Sequence, residues 1–201
     1  VTALHPDGRL SLTTPAGKAE LQAERVVLCT GAREASRPQR FIGGDRPLGV
    51  LSTGALQSMT YLQGVRPFRR PVIIGSELVS FSAIDTCRHL GIRPVAMIEE
   101  NDRILARRLV QPYLMMRGVA LFTKVKNLRI LGLRQVEAIE FIDAAGKQQS
   151  IEADGAIISG RFRPEAALLH LSHLEVDPGS GGPMIDQFGQ CSDPSYYSAG
   201  N

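Results

Sequence analysis

Gly75, Ser76, Glu77, Ser80, Glu99 and Glu100 are the residues whose types and spacing point to chemistry. A glycine directly after an apolar run can turn the chain sharply and leave backbone N–H groups facing an anion. A carboxylate roughly 24 residues further on, closing a second apolar run, can accept hydrogen bonds from a ribose diol. The elements that must position these groups are legible between Pro71 and Glu100. Val72, Ile73 and Ile74 suit a strand buried on both faces, Leu78–Leu90 a helix that Gly91 can stop, and Val95–Ile98 a second buried strand. This is the layout of a dinucleotide-binding βαβ unit with an altered fingerprint. Gly75 fills the first place of G-x-G-x-x-G, but Glu77 and Ser80 stand in the second and third. A glutamate in the second place adds bulk and negative charge where a pyrophosphate would approach.

Two readings of this unit follow. In one, the free N–H groups and partial positive charge of the helix amino terminus hold a pyrophosphate without every glycine. Glu77 then swings outward, and Glu99 or Glu100 holds the ribose and favours NAD over NADP. In the other, Gly75 is a tight turn, Glu77 a solvated first-turn acid and Glu99 surface charge, and the nucleotide site is vestigial.

Composition narrows the classes. A 43% hydrophobic, 21% charged chain of 201 residues has ample material for a packed core. The net charge of +3 is mild, and the densest basic run is Arg66 to Arg70 (RPFRR). With only 5% aromatic residues there is no stripe of cations and stacking platforms for nucleic acid. No apolar run approaches the ~20 residues that span a bilayer. Cys29, Cys87 and Cys191 are odd in number and far apart, which points to free thiols and a cytoplasmic location. Cys29 and Cys87 read as core thiols. His170 and His173 lack the acid or cysteine neighbours of a zinc site, so no metal is expected.

Along the chain, Thr2–Leu4, Leu10–Thr13 and Ala19–Leu21 read as a small meander, followed by a buried strand entering the glycine turn at Thr30, Gly31 and Ala32. A Pro/Gly-rich loop over 33–49 precedes a helix over Ser52–Leu62. After the βαβ unit, Ile104, Leu105, Leu109 and Leu114 have helical spacing within Asp102–Arg117, although Pro112 should shorten or kink that helix. Val119–Phe122 is a strand, and Lys124–Leu131, Val136–Ile142 and Gln148–Ala153 form a second meander. Ala156–Ser159 enters a turn at Gly160 and Arg161, and Tyr196–Ala199 closes the chain before Gly200. One plan is thus repeated, with a second nucleotide-type domain inserted into the first. The absence of an initial methionine and the stop at Asn201 suggest a piece of a longer protein.

In this order, the motifs resemble the two-dinucleotide-domain flavoproteins of the pyridine nucleotide-disulfide oxidoreductase type. Val26 to Ala32 (VVLCTGA) is similar to the "ATG" strand-turn near the flavin. Ala156 to Pro164 (AIISGRFRP) is similar to the second such turn, and Tyr197 to Asn201 (YSAGN) to the "AGD" element that contacts the flavin. Val176 to Asp186 (VDPGSGGPMID) resembles the subunits of dye-linked amino-acid dehydrogenases and hydrogen cyanide synthase. The resemblance implies an α/β, Rossmann-like three-layer (ββα) FAD/NAD(P)-binding fold. It places a partial FAD-type domain at 1–66, an inserted NAD(P)-type domain at 67–163 and a return to the FAD-type domain at 164–201.

The same resemblance implies FAD as the redox cofactor of the whole protein, with an incomplete site in this segment. The other redox party would be NAD(P) or a partner redox subunit. Thr30, Gly31, Ala32, Gly200 and Asn201 would line the flavin crevice. Gly75, Ser76, Glu77, Glu99, Glu100, Gly160 and Arg161 would lie along the pyridine nucleotide, with Arg161 on a phosphate, bracing a loop, or simply at the surface. No catalytic side chain is expected, because in such enzymes the flavin carries the chemistry. The contrasting reading is a scaffold or docking module in a multi-subunit dehydrogenase.

Overall fold

A computed structural model describes residues 1–107 and 110–200. In chain order the elements are β1 (Ala3–Leu4), β2 (Arg9–Thr14), β3 (Gly17–Gln22), β4 (Val26–Leu28), β5 (Ala32–Arg33), β6 (Gly43–Gly44) and β7 (Val50–Ser52). Then come α1 (Thr53–Gln57), β8 (Pro71–Ile74), α2 (Leu78–His89), β9 (Ala96–Ile98), α3 (Gln111–Met116) and β10 (Ala120–Phe122). The last are β11 (Lys126–Leu131), β12 (Ala138–Ile142), β13 (Gln148–Glu152), β14 (Gly155–Ile158), β15 (Arg163–Pro164), α4 (Ala167–His170) and β16 (Tyr196–Ser198). The chain divides into two compact units, Glu34–Arg161 and the pair of segments Val1–Arg33 and Phe162–Asn201.

In the inner unit, five strands form a parallel sheet in the order β10-β9-β8-β14-β7. Strict alternation along its strands builds two cores. Val72 and Ile74, with Ala96, Ile98, Ala156 and Ile158, pack against Ile130, Ile139 and Phe141 of the antiparallel β11-β12-β13 meander. Ile73, Met97 and Ile157 face the other way, onto Leu56 of α1, Phe81, Ile84 and Cys87 of α2, and Leu114 of α3. The result is meander, sheet and helices in three layers. Because β7 pairs with β14, residues from Glu34 onward belong to this inner unit; the expected boundary was at 66/67.

The predicted helix over Asp102–Arg117 is reduced to Gln111–Met116, with Leu109 outside the described residues. Pro112 sits in its first turn, where its missing N–H costs nothing. Upstream, Leu105 and Ala106 give their N–H groups to Ser76 instead of to a helix. α1 continues after Gln57 into a wider π-type turn over Ser58–Leu62.

In the outer unit, β1-β2-β3 form the first meander, β4 pairs in parallel with β16, and β5 pairs antiparallel with β15. Its core gathers Leu4, Leu10, Leu169, Leu174, Cys191 and Tyr196. The fully buried Tyr196 satisfies its hydroxyl by donating to the carbonyls of His5 (2.7 Å) and Arg9 (3.2 Å). Cys29 lies beyond the end of β4 and is exposed, contrary to the expectation of a core thiol; Cys87 and Cys191 are buried. Among the described residues β4 pairs with β16 alone. No helix among the described residues is long and apolar enough to cross a membrane.

Candidate functional site

β8 delivers Ile74 to the carboxyl edge of the parallel sheet, where Gly75 turns the chain at φ +115°. A Cβ at Gly75 would lie 2.2 Å from the Ser159 carbonyl oxygen, so close packing against the end of β14 demands glycine there. Ser76 follows, fully buried. Its hydroxyl donates to Glu99 and accepts the Leu105 N–H (2.9 Å), and its carbonyl accepts the Ala106 N–H (2.9 Å). Glu99, at the end of β9, is only 2% exposed. Its other oxygen accepts from the Asn101 backbone N–H (2.8 Å) and side-chain amide (2.6 Å). Glu99, one of the two carboxylates expected to meet a ribose diol, is therefore spent on Ser76 and Asn101.

Glu77 occupies the N-cap position of α2 but makes no capping bond. Its carboxylate instead accepts the backbone N–H of Arg161 at 2.6 Å. The adjacent Gly160 (φ +81°) gives its N–H to Glu34 at 3.2 Å, and the second Glu34 oxygen takes the N–H of Gly54 in the first turn of α1 (3.0 Å). A Cβ on Gly160 would come within 2.7 Å of the Glu77 carboxyl, so glycine here leaves room for that carboxylate. The Arg161 guanidinium pairs with Glu100. Two consecutive N–H groups, of the kind that cradle phosphate, are thus both filled by the protein's own carboxylates.

Arg40 completes the cluster and carries no sequence signal. It sits in the Pro/Gly-rich loop, is 4% exposed, and donates from one nitrogen to the carbonyls of Ile74 (3.0 Å) and Ser159 (2.8 Å). Its Nε has no partner among the described residues. Burial lowers its pKa, helped by the neighbouring Arg161 and opposed by Glu100, Glu99 and Glu77. Beside it, the Thr53 and Ser80 hydroxyls both bond to that of Ser159 (2.9 and 3.0 Å). Ser80, in the third glycine's place, is therefore a buried link between α2 and the end of β14. Gly75, Ser76, Glu77, Glu99, Glu100, Gly160 and Arg161 all meet here.

In the outer unit, the parallel strands β4 and β16 end on a crevice of about 220 Å³ lined by Leu28, Thr30, Gly31, Ser198 and Gly200. Gly31 (φ +73°) and Gly200 (φ +125°) have open space where a side chain would point. Ala32 is tied into the sheet opposite Pro164, and the Gly31 carbonyl takes the Glu165 N–H at 2.9 Å. Asn201 lies outside the described residues. His173, unpaired with His170, instead bonds Asp193 at 2.8 Å. No cluster of metal-ligating side chains occurs among the described residues.

Comparison with known proteins agrees with this architecture. The chain superposes on T. acidophilum thioredoxin reductase with a TM-score of 0.74 at 20% identity, over 94% of this chain and 63% of that one. The NAD-dependent persulfide reductase of A. fulgidus gives 0.75 at 22% identity, over 98% of this chain and 37% of that one. By sequence, the chain is 28% identical over 150 residues to the alpha subunit of sarcosine oxidase from Rhizobium meliloti (strain 1021), covering 75% of this chain and 14% of that one. It is 25% identical over 180 residues to an opine oxidase subunit of the same organism, covering 88% of this chain and 38% of that one. The chain therefore spans well under half the length of these curated relatives. The family of pyridine nucleotide-disulphide oxidoreductases matches residues 1–201 from end to end, and the chain belongs to it.

Proposed function

We propose that this chain forms part of a flavin-dependent oxidoreductase in which FAD carries the electrons and the inner unit keeps its pyridine-nucleotide site closed. The observation that carries this reading is the commitment of Glu77 and Glu99 to internal donors. A dinucleotide would need the space and the Arg161 N–H that Glu77 fills, and a ribose acceptor from Glu99, bonded to Ser76 and Asn101, or from Glu100, paired with Arg161. Moving the Glu77 or Glu99 carboxylate costs its hydrogen bonds, about 1.5–3 kcal/mol each for bonds to a charged group.

FAD, when bound, supplies two-electron chemistry to the assembled protein. Thr30, Gly31 and Gly200 fit one wall of its site, because the crevice lies beyond the carboxyl ends of parallel strands and its glycines leave backbone open to a ligand. With NAD(P)H shut out, electrons would enter from a substrate such as an amine or amino acid and leave through a partner subunit. That role is consistent with the relatives being named oxidase subunits. The inner unit would then serve as scaffold.

A second reading is favoured by one observation: α2 begins without a side-chain cap, so its amino terminus keeps a site for an anion. In that case release of Glu77 from Arg161 would admit NAD. Anaerobic reduction of the flavin in the full-length protein separates the two. Bleaching by a candidate amine or amino acid but not by NADH supports the closed site; rapid bleaching by NADH rejects it.

A further inference from the structure

A second concave site lies at the opposite edge of the inner sheet, where β8, β9 and β10 begin at Pro71, Ala96 and Ala120. It is a groove of about 600 Å³, well within the range of small-ligand pockets. Its floor is apolar, with Ile84, Ile92 and Val119 almost wholly buried beneath it. Its rim carries Arg70, Arg88, Arg93 and Arg117, and no carboxylate lines it. Arg70 belongs to the basic run that stands out in the sequence and that the nucleotide-type site does not use.

The main chain under the rim is held at two points, and one guanidinium stacks near a ring. The Arg70 N–H is held by Asp154 (2.6 Å), the Arg93 N–H by the Arg69 carbonyl (2.8 Å), and the Arg117 guanidinium lies 4.7 Å from the Tyr113 ring centre. Arg88 has an exposed partner in Asp85 at 3.6 Å, a pairing of little energetic weight. The side chains of Arg70, Arg93 and Arg117 have no carboxylate partner among the described residues. Two of the carbonyls at the end of α2, which would repel an anion, are occupied: Cys87 takes the N–H of Leu90 and Ile92, and Arg88 that of Gly91. Likewise Leu114 and Met115, at the end of α3, take the N–H groups of Arg117, Gly118 and Val119.

We propose that this groove binds a small organic anion with an apolar or aromatic body and a carboxylate, phosphate or sulfonate head. Arginine forks match such heads bidentately, and the apolar lining strengthens the field of Arg93 and Arg117, which have no carboxylate partner among the described residues, while Arg70 lies beside Asp154. Neither half alone would suffice. The apolar lining offers a polar anion no further hydrogen-bond partners, and an apolar molecule gains nothing from the guanidinium rim. The site is independent of the nucleotide reading above.

The test uses the full-length protein with anilinonaphthalene sulfonate, and with N-phenyl-1-naphthylamine as the same body without charge. The sulfonate should bind, shift the methyl resonances of Ile84, Ile92 and Val119, and be displaced by dodecyl phosphate. Charge reversal in Arg93→Glu/Arg117→Glu should weaken it at least about tenfold and leave the neutral dye unchanged; Arg93→Gln/Arg117→Gln serves if the reversed variant does not fold. Equal sulfonate affinity in wild type and variants, or methyl shifts confined to other residues, would overturn the proposal. Displacement by hexaglutamate but not by dodecyl phosphate would overturn it too, assigning the groove to an acidic partner peptide.

Discussion

The carboxylate of Glu77 accepts the backbone N–H of Arg161 at 2.6 Å, so the start of α2 is tied to the turn after β14. These residues are 84 positions apart in sequence. In the usual dinucleotide fingerprint a glycine stands where Glu77 does, and a phosphate approaches it. Here the negative charge comes from the chain itself.

Arg40→Leu should be among the most destabilising substitutions in the inner unit. It removes the guanidinium donor from the Ser159 carbonyl and one of two donors from the Ile74 carbonyl, which keeps the Ser159 N–H at 2.9 Å. One buried carbonyl left without a donor predicts a loss of about 1–3 kcal/mol in unfolding free energy, read from urea midpoints. Arg40→Lys should recover less than half of it, because a single ammonium does not reproduce the guanidinium fork. Parent-like stability in Arg40→Leu would show the buried guanidinium to be dispensable.

How much of this was legible beforehand depends on the range of the interactions. Val72–Ile74, Ala96–Ile98 and Ala156–Ile158 announce themselves because strands buried on both faces must be apolar throughout. The Gly75 turn was equally plain. Arg40 was not, since its two acceptors lie 34 and 119 residues away and a loop arginine has no periodicity to betray it. The expected helix from Asp102 failed for the same reason. Ser76, 29 residues upstream, takes the Leu105 N–H through its hydroxyl, and no local pattern encodes that bond. Cys29 misled because an apolar run predicts burial only if neighbouring strands cover it.

The outer unit should lose stability in acid through Asp193. Burial opposes ionisation of this carboxyl, but the Ser195 N–H, His173 and the Asp7 N–H outweigh it and hold its pKa below the usual carboxylate range. A carboxyl depressed in the folded state contributes stability that is complete above its unfolded pKa, near 3.9, and is lost as pH falls through the lower folded value. Asp193→Asn should therefore be less stable than the parent near neutrality, with the gap narrowing below about pH 4. A gap constant from pH 7 to pH 3 would remove Asp193 as the cause.

Thiol reactivity should single out Cys29. Burial pushes the Cys87 thiol up to about 12, and burial with the nearby Asp193 raises that of Cys191 as well, so both form thiolate less readily than an unperturbed thiol. Ellman's reagent on the native chain should show one fast-reacting thiol, absent in Cys29→Ser and rising to three in denaturant. A fast phase surviving in Cys29→Ser would mean that one of the buried thiols opens readily.

The closed-site account meets its most direct test in calorimetric titration of the full-length protein with NADH, wild type against Glu77→Gly. It predicts binding weaker than about 1 mM in the wild type, and at least about tenfold tighter binding once the Glu77 carboxylate is removed from the Arg161 N–H. Micromolar NADH binding by the wild type, unchanged in Glu77→Gly, would contradict it.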